Sequence, residues 1–150
     1  MRAVVQRVEE AKVKVNEEVT GKIKQGLLLL LGISNDDDIK DIKWLADKIM
    51  NLRIFEDKDG KMNLSLLETG GELLIVSQFT LYGDCRKGRR PSFTESAPPE
   101  KANEIYLQFL DYVKSNYNIN LQTGKFQTEM KVHLINDGPV TFILESKKTF

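Results

Sequence analysis

Few side chains in this 150-residue chain can do acid-base, nucleophilic or metal chemistry, and the scarcity narrows the reactions open to it. There is one histidine, His133, and one cysteine, Cys85. Met130, Val132 and Leu134 alternate with Lys131 and His133, so in a strand whose apolar face is buried His133 points outward with Lys131. With no second histidine, neither a Ser-His-Asp nor a Cys-His arrangement can be assembled. Cys85 adjoins Arg86 and Lys87, which favour a thiolate, but it lacks a base and a resolving cysteine and reads as an incidental loop residue. One Cys with one His cannot make a disulfide or a structural zinc site, so neither metal nor cofactor is expected.

Three other segments carry polar groups at suggestive places. Ser77-Gln78-Phe79-Thr80-Leu81 follows directly on the apolar run Leu73-Leu74-Ile75-Val76, placing two hydroxyls and an amide where a buried strand emerges. Such strand ends often line sites, although polar residues also simply cap a strand and enter a turn. Asp84-Cys85-Arg86-Lys87-Gly88-Arg89-Arg90-Pro91 concentrates four cations, Arg86, Lys87, Arg89 and Arg90, on one segment. That suits a solvated loop or a phosphate backbone, and the flanking Tyr82 and Phe93 are of a type that stacks on bases. Asn136-Asp137-Gly138-Pro139 is built of turn formers, and its Gly-Pro pair offers bare carbonyls and a bond of the kind found in the cis form.

The elements that must hold these segments follow from periodicity. Residues 3–8 read as a strand, and residues 11–15 and 19–24 as a half-exposed hairpin broken at Asn16-Glu17-Glu18. Residues 26–33, five leucines between glycines, suit a strand covered on both faces. A helix is predicted over residues 38–50, where Ile42, Leu45 and Ile49 recur behind a cluster of aspartates. A short strand at 53–56, a turn at 57–60, a break at Gly70-Gly71 and a strand at 73–76 precede an irregular stretch from 82 to 97. Pro98-Pro99-Glu100 opens a second helix running to about Tyr117. The tail reads as two strands around a turn at 136–139. This pattern predicts an α+β fold, with a mainly antiparallel, curved, barrel-like sheet and two principal helices outside it.

Composition sets the remaining bounds. At 41% hydrophobic residues the chain can fill one ordinary core, with a single domain over residues 1–150. Twenty-two basic residues balance 22 acidic ones, so no global field draws the protein to nucleic acid, and any polyanion must meet a local patch. The longest apolar run is too short to cross a bilayer and no secretion signal is visible, so a cytoplasmic location without membrane attachment is expected.

Taken together, the segments resemble the D-aminoacyl-tRNA deacylases, also called D-tyrosyl-tRNA deacylases. The resemblance runs over essentially the whole chain, through Met1-Arg2-Ala3-Val4-Val5-Gln6-Arg7-Val8, Leu52-Arg53-Ile54-Phe55-Glu56-Asp57, Ser77-Gln78-Phe79-Thr80-Leu81, Lys87-Gly88-Arg89-Arg90-Pro91 and Asn136-Asp137-Gly138-Pro139. It implies a homodimer with active sites at the subunit interface, acting on tRNA that carries a D-amino acid, and also on glycyl-tRNA. Ser77, Gln78, Phe79 and Thr80 would line the pocket of one subunit. Gly138-Pro139, joined by a cis bond, would reach in from the other, with Arg7 supporting that loop and Met130 beside the pocket. Gln127 and Thr128 stand where relatives often have small residues, a departure that bears on the pocket wall. Two other expectations compete with hydrolysis: a non-catalytic RNA-binding module built on the Arg86 to Arg90 loop, and a purely structural homodimer.

Overall fold

The computed structural model describes residues 1–150. In chain order it contains β1 (Arg2–Val15), β2 (Glu18–Ile23), β3 (Gly26–Gly32), α1 (Ile39–Asn51), β4 (Phe55–Glu56), β5 (Met62–Leu64), α2 (Leu66–Thr69), β6 (Glu72–Ser77), a 3-10 turn (Phe79–Tyr82), α3 (Pro99–Asn116), β7 (Leu121–Thr123) and β8 (Lys131–Glu145). Six strands form one curved sheet in the order β2-β1-β3-β6-β7, with β8 on the free side of β1. All three partners of β1 run antiparallel to it, whereas β3, β6 and β7 are mutually parallel. The sheet curls until β2 meets β7. A Cβ on Gly21 would collide with the Thr123 carbonyl, so only glycine permits that approach. This is the expected α+β fold with a nearly closed, barrel-like sheet.

Strand β1 organises the rest. It turns into β2 through Asn16 and Glu17, both at positive φ (48° and 67°), the two-residue hairpin geometry that matches strand twist. Ala3 and Val5 face the same way as Leu27, Leu29, Leu31, Leu73 and Ile75, and this layer is covered by α1 and α3. Val8, Ala11 and Val13 join Ile23, Leu28, Leu74 and Val76 inside the barrel. The leucine run of β3 is therefore buried on both faces, as its unbroken hydrophobicity predicts.

The tail differs from expectation. There is no hairpin at 136–139; β8 is one strand of 15 residues lying along β1. Gln6 pairs with Thr141 and Val8 with Asn136, so residues 137–140 stand opposite Arg7 alone and loop out as a long bulge. The turn-forming residues serve this bulge because β1 offers a continuous partner on both sides of it. The one-turn α2 and three-residue β7 have no counterpart in the sequence pattern.

Helix α1 begins with a capping box. Asp38 accepts from the Lys40 amide (2.8 Å), and Asp41 accepts from the Asp38 amide (3.0 Å). Asp41 is buried and also takes bonds from the Ser146 hydroxyl (2.6 Å) and Lys147 Nζ (3.0 Å), tying the helix to the tail after β8. Burial acts against its charge, but these bonds outweigh it and hold its pKa at about 2, against an ordinary 3.8. A carboxylate with a lowered folded pKa contributes stability that is complete above the unfolded value and is lost as pH falls through the folded one. Acid unfolding should therefore show a limb between about pH 4 and pH 2 that is reduced in Asp41→Asn, measured by circular dichroism across an acid titration.

Candidate active site

Strand β6 delivers the polar segment to the rim of the barrel. Ser77 ends the strand, paired with Leu31, and the Gln78 amide donates to the Leu31 carbonyl (2.8 Å) before the chain turns into Phe79–Tyr82. The Gln78 side-chain amide donates to Thr80 Oγ1. Phe79 and Thr80 open the 3-10 turn, where an N–H group has no intrahelical carbonyl behind it, and both residues are exposed.

Beside this segment lies a cleft of about 720 Å³, within the range of small-molecule sites. Ser77, Gln78 and Phe79 form one wall. Pro98, Pro99 and Ala102 at the start of α3 form another, and Phe126, Gln127, Thr128, Met130 and Val132 a third. Phe126 is held by stacking on Tyr106 of α3 (centroids 5.8 Å apart, 27° between planes). Gln127 has a left-handed backbone (φ 57°) and is exposed, while the Thr128 hydroxyl donates back to the Lys125 carbonyl (2.8 Å). At the mouth, Phe79 is 57% exposed and tilts against Phe93, with centroids 5.1 Å apart. The cleft is thus apolar with a short polar rim, suited to an amino-acid-sized group whose reacting end meets Ser77, Gln78 and Phe79; Thr80, one residue further on, is exposed and does not line the cleft. A more open hollow of about 510 Å³ lies beside α1, around Trp44, Asp47 and Arg53, and contains no hydroxyl or thiol nucleophile.

Gly138 and Pro139 do not line the cleft of their own chain; both are exposed on the bulge of β8. Their peptide bond is cis, and Gly138 has φ 117°, a conformation that side-chain-bearing residues rarely adopt. Arg7, only 5% exposed, lies beneath. Its Nη1 donates to the Ile54 carbonyl (2.9 Å), Nη2 lies 4.0 Å from Glu56 Oε1, and Nε lies 3.2 Å from Asp137 Oδ2 without the alignment of a hydrogen bond. Asn136 closes the bulge by donating to the carbonyls of Arg7 (2.9 Å) and Val140 (3.0 Å).

The basic segment is a loop pinned at its base by two backbone bonds between Asp84 and Ser92. Arg86 makes a two-pronged pair with Asp84 (Nη2 to Oδ2 2.7 Å, Nε to Oδ1 2.9 Å), which holds the Asp84 carboxyl well below its usual range. Lys87, Arg89 and Arg90 are exposed. Tyr82 is not available for stacking on a base: it is 4% exposed, with the Arg2 guanidinium 4.5 Å from its ring centre. His133 lies on the outer face beside Lys12, away from the cleft. The wall formed by Phe126, Pro98 and Ala102 has no forerunner in the sequence pattern, since it depends on the packing of α3 rather than on local spacing.

Comparison with known proteins agrees with this fold. The family described as D-Tyr-tRNA(Tyr) deacylase matches residues 4–145. Proteins named D-aminoacyl-tRNA deacylase from Thermosipho africanus and Petrotoga mobilis are 63% and 60% identical over 150 residues, the whole of this chain and of each relative. A solved structure titled "c-Myc DNA Unwinding Element Binding Protein" superposes with a TM-score of 0.93 at 44% identity, covering 97% of this chain and 98% of its own. Another, titled as a probable eukaryotic D-amino acid tRNA deacylase, gives a TM-score of 0.80 at 18% identity, covering 95% of this chain and 97% of its own, and shows the shared fold. By the extent of the family match and the identity of these full-length relatives, this chain belongs to the D-Tyr-tRNA(Tyr) deacylase family.

Proposed function

We propose that the protein is a carboxylic ester hydrolase that cleaves D-aminoacyl-tRNA to a free D-amino acid and tRNA. The observation that carries this is the polar strand end Ser77 to Phe79 set against an apolar cleft, in a chain 63% identical to a protein named for that reaction. No side chain in the cleft is a strong base, and the chemistry does not require one. An aminoacyl-tRNA is an activated ester with a ribose hydroxyl next to the bond that breaks. Water attacks the carbonyl carbon and the ester C–O bond breaks; one proton of the water goes to the departing ribose oxygen and the other to solvent, leaving the amino acid as its carboxylate. The protein supplies position, and the Phe79 and Thr80 N–H groups, at the start of the 3-10 turn, are the donors assigned to the developing oxyanion.

Gly138 and Pro139 are exposed on the bulge and do not line their own cleft, which supports their entering the cleft of a second copy. Ile143, Val4 and Leu30 form one apolar row across β8, β1 and β3; Val4 and Leu30 are half-buried and Ile143 is 63% exposed. Such a row, next to the unpaired edge of β8, suits a homodimer face. In that assembly the two bare carbonyls hold the substrate's α-amino group and leave no space for an L side chain, whereas glycine, with no side chain, is accepted. The protein acts in the cytoplasm, and no helix is long and apolar enough to cross a membrane.

Incubating the protein with D-tyrosyl-tRNA and L-tyrosyl-tRNA tests the reaction: hydrolysis of the D ester alone is expected, and inertness toward both overturns it. Thr80→Ala then tests the route. With water as nucleophile, the variant should keep deacylation within about tenfold of wild type, whereas a covalent threonine predicts a loss of roughly a thousandfold or more. RNA binding without turnover is the second reading, favoured by the exposed Lys87, Arg89 and Arg90 and by the 44% identity to a protein titled as binding a DNA element. It predicts tRNA binding that persists in Thr80→Ala with no hydrolysis under any condition.

A further inference from the structure

On the outer surface of the barrel, at the end not covered by helices, the strand registers set cations directly beside one another. Lys12 pairs with Lys22 of β2 on one side and with His133 of β8 on the other, and Lys14 pairs with Lys131 in the next row. Ala11 and Val13 point into the barrel, so Lys12 and Lys14 share the outward face. Of these four lysines only Lys131 has an ion pair, an exposed one with Glu129 at 3.4 Å. Lys12, Lys22 and His133 border a shallow hollow of about 220 Å³, with Glu10 as its one acid. Like charges directly across a sheet are destabilising. A chain with zero formal net charge that places four lysines in two adjacent rows, Lys12 beside Lys22 and Lys14 beside Lys131, therefore carries a repulsion the fold does not need.

We propose that this face, Lys12, Lys14, Lys22, Lys131 and His133, is a docking surface for the sugar-phosphate backbone of the tRNA, separate from the Arg86 to Arg90 loop. The choice of tRNA rests on the deacylase reading above; the choice of a polyanion rests on the rows themselves. Met130 and Val132 line the cleft while Lys131 and His133, alternating with them, stand on the other face of the same strand. Strand β8 is an edge, so a single-stranded 3′ end can round it into the cleft while the stem lies on the lysines. The row of Val4 and Ile143 proposed for the dimer belongs to the opposite face of the sheet and leaves the lysines free.

The test is fluorescence-anisotropy binding of uncharged tRNA by the full chain over a salt series, with hydrolysis of D-tyrosyl-tRNA and of the minimal ester D-tyrosyl-adenosine measured in parallel. Lys12→Gln/Lys22→Gln should bind tRNA about tenfold more weakly near physiological salt. Its log K against log[salt] slope should be shallower by about 2, one for each lysine that no longer neutralises a phosphate. It should hydrolyse the minimal ester at the wild-type rate and melt no lower than wild type, since a repulsion is removed. Lys43→Gln/Lys48→Gln, the same charge change on the exposed side of α1, should leave binding unchanged. Undetectable binding by wild type, an unchanged affinity and slope in the Lys12/Lys22 variant, or an equal loss in the α1 variant overturns the proposal. Lysine-dependent binding with no hydrolysis of either ester overturns the deacylase reading and leaves the RNA surface standing.

Discussion

Gly138→Ala should lower D-aminoacyl-tRNA hydrolysis by roughly a hundredfold or more while leaving a folded protein. At φ 117° a side chain costs backbone strain of about 1–3 kcal/mol. The added Cβ would stand 2.7 Å from Val140 Cγ2 and 3.1 Å from Arg7 Nη2, both close enough to force movement. The bulge cannot absorb this locally, because Asn136, at one end, bonds the Val140 carbonyl at the other and the Arg7 carbonyl on β1, and β1 pairs with β8 on either side. The carbonyls of residues 138 and 139 must shift, and a misplacement of about 1 Å in a positioning group can cost roughly a hundredfold in rate. Single-turnover assays with paired D- and L-tyrosyl-tRNA give the result directly. Unchanged rates on both substrates would show that the bulge does not govern the reaction, and melting in parallel separates lost activity from lost fold.

Arg7→Ala should be the most destabilising single substitution near the site, by about 3 kcal/mol, since breaking a buried ion pair by removing one partner typically costs about 3–5 kcal/mol. The low end applies because the side chains left behind, Asp137 and Glu56, are 37% and 58% exposed and can reach water. In a chain of this size that corresponds to a fall of roughly 6–12 °C in Tm. Activity should fall with it, since the guanidinium is the shared support of the bulge, β4 and the Ile54 carbonyl. Arg7→Lys keeps the charge but not the planar fork, and should recover only part of the stability. A calorimetric Tm for Arg7→Ala within about 2 °C of wild type, less than ~1 kcal/mol, would show that the bulge is held by the Asn136 bonds alone.

The contrast between Ser77 to Thr80 and the bulge shows what the sequence makes legible. An apolar run ending in Ser-Gln-Phe-Thr announces a strand emerging at a rim, because burial of β6 and polarity of its end are both local properties. The caps of α1 and the start of α3 are legible for the same reason, since capping acts over three or four residues. Asn-Asp-Gly-Pro signals a departure from regular backbone equally well, but a chain reversal and a bulge differ only in what lies opposite, and here that is Arg7, far away in sequence. Strand β1 is hidden in part as well: its barrel-facing side chains change parity between Val8 and Ala11, with Glu9 and Glu10 both exposed between them, which breaks the alternation that marks a single strand. Residues 121–128 form a strand edge and a cleft wall only because β6 and Tyr106 are already in place. Arg86 likewise reads as one of four free cations until the fold of the loop brings Asp84 against it.

The pairing of β1 with β8 also sets when this protein can become active during its synthesis. Of the strands described, the earliest synthesised, β1, binds the latest, β8, with Arg2 against Glu145 and Lys14 against Lys131. At typical rates of about 5–20 residues per second, residues 2–14 wait on the order of 10 s with one side unpaired. Over that interval Arg7 has neither Asp137 nor the bulge to support, and the apolar row that ends at Ile143 is incomplete. A nascent chain can form the hairpin of β1 and β2 and the layer beneath α1 and α3, but the surfaces proposed for the chiral gate, the dimer and the RNA all draw on residues 131–143. Activity is therefore tied to synthesis of β8, and a product truncated before it would expose a long unpaired strand without having acquired a site.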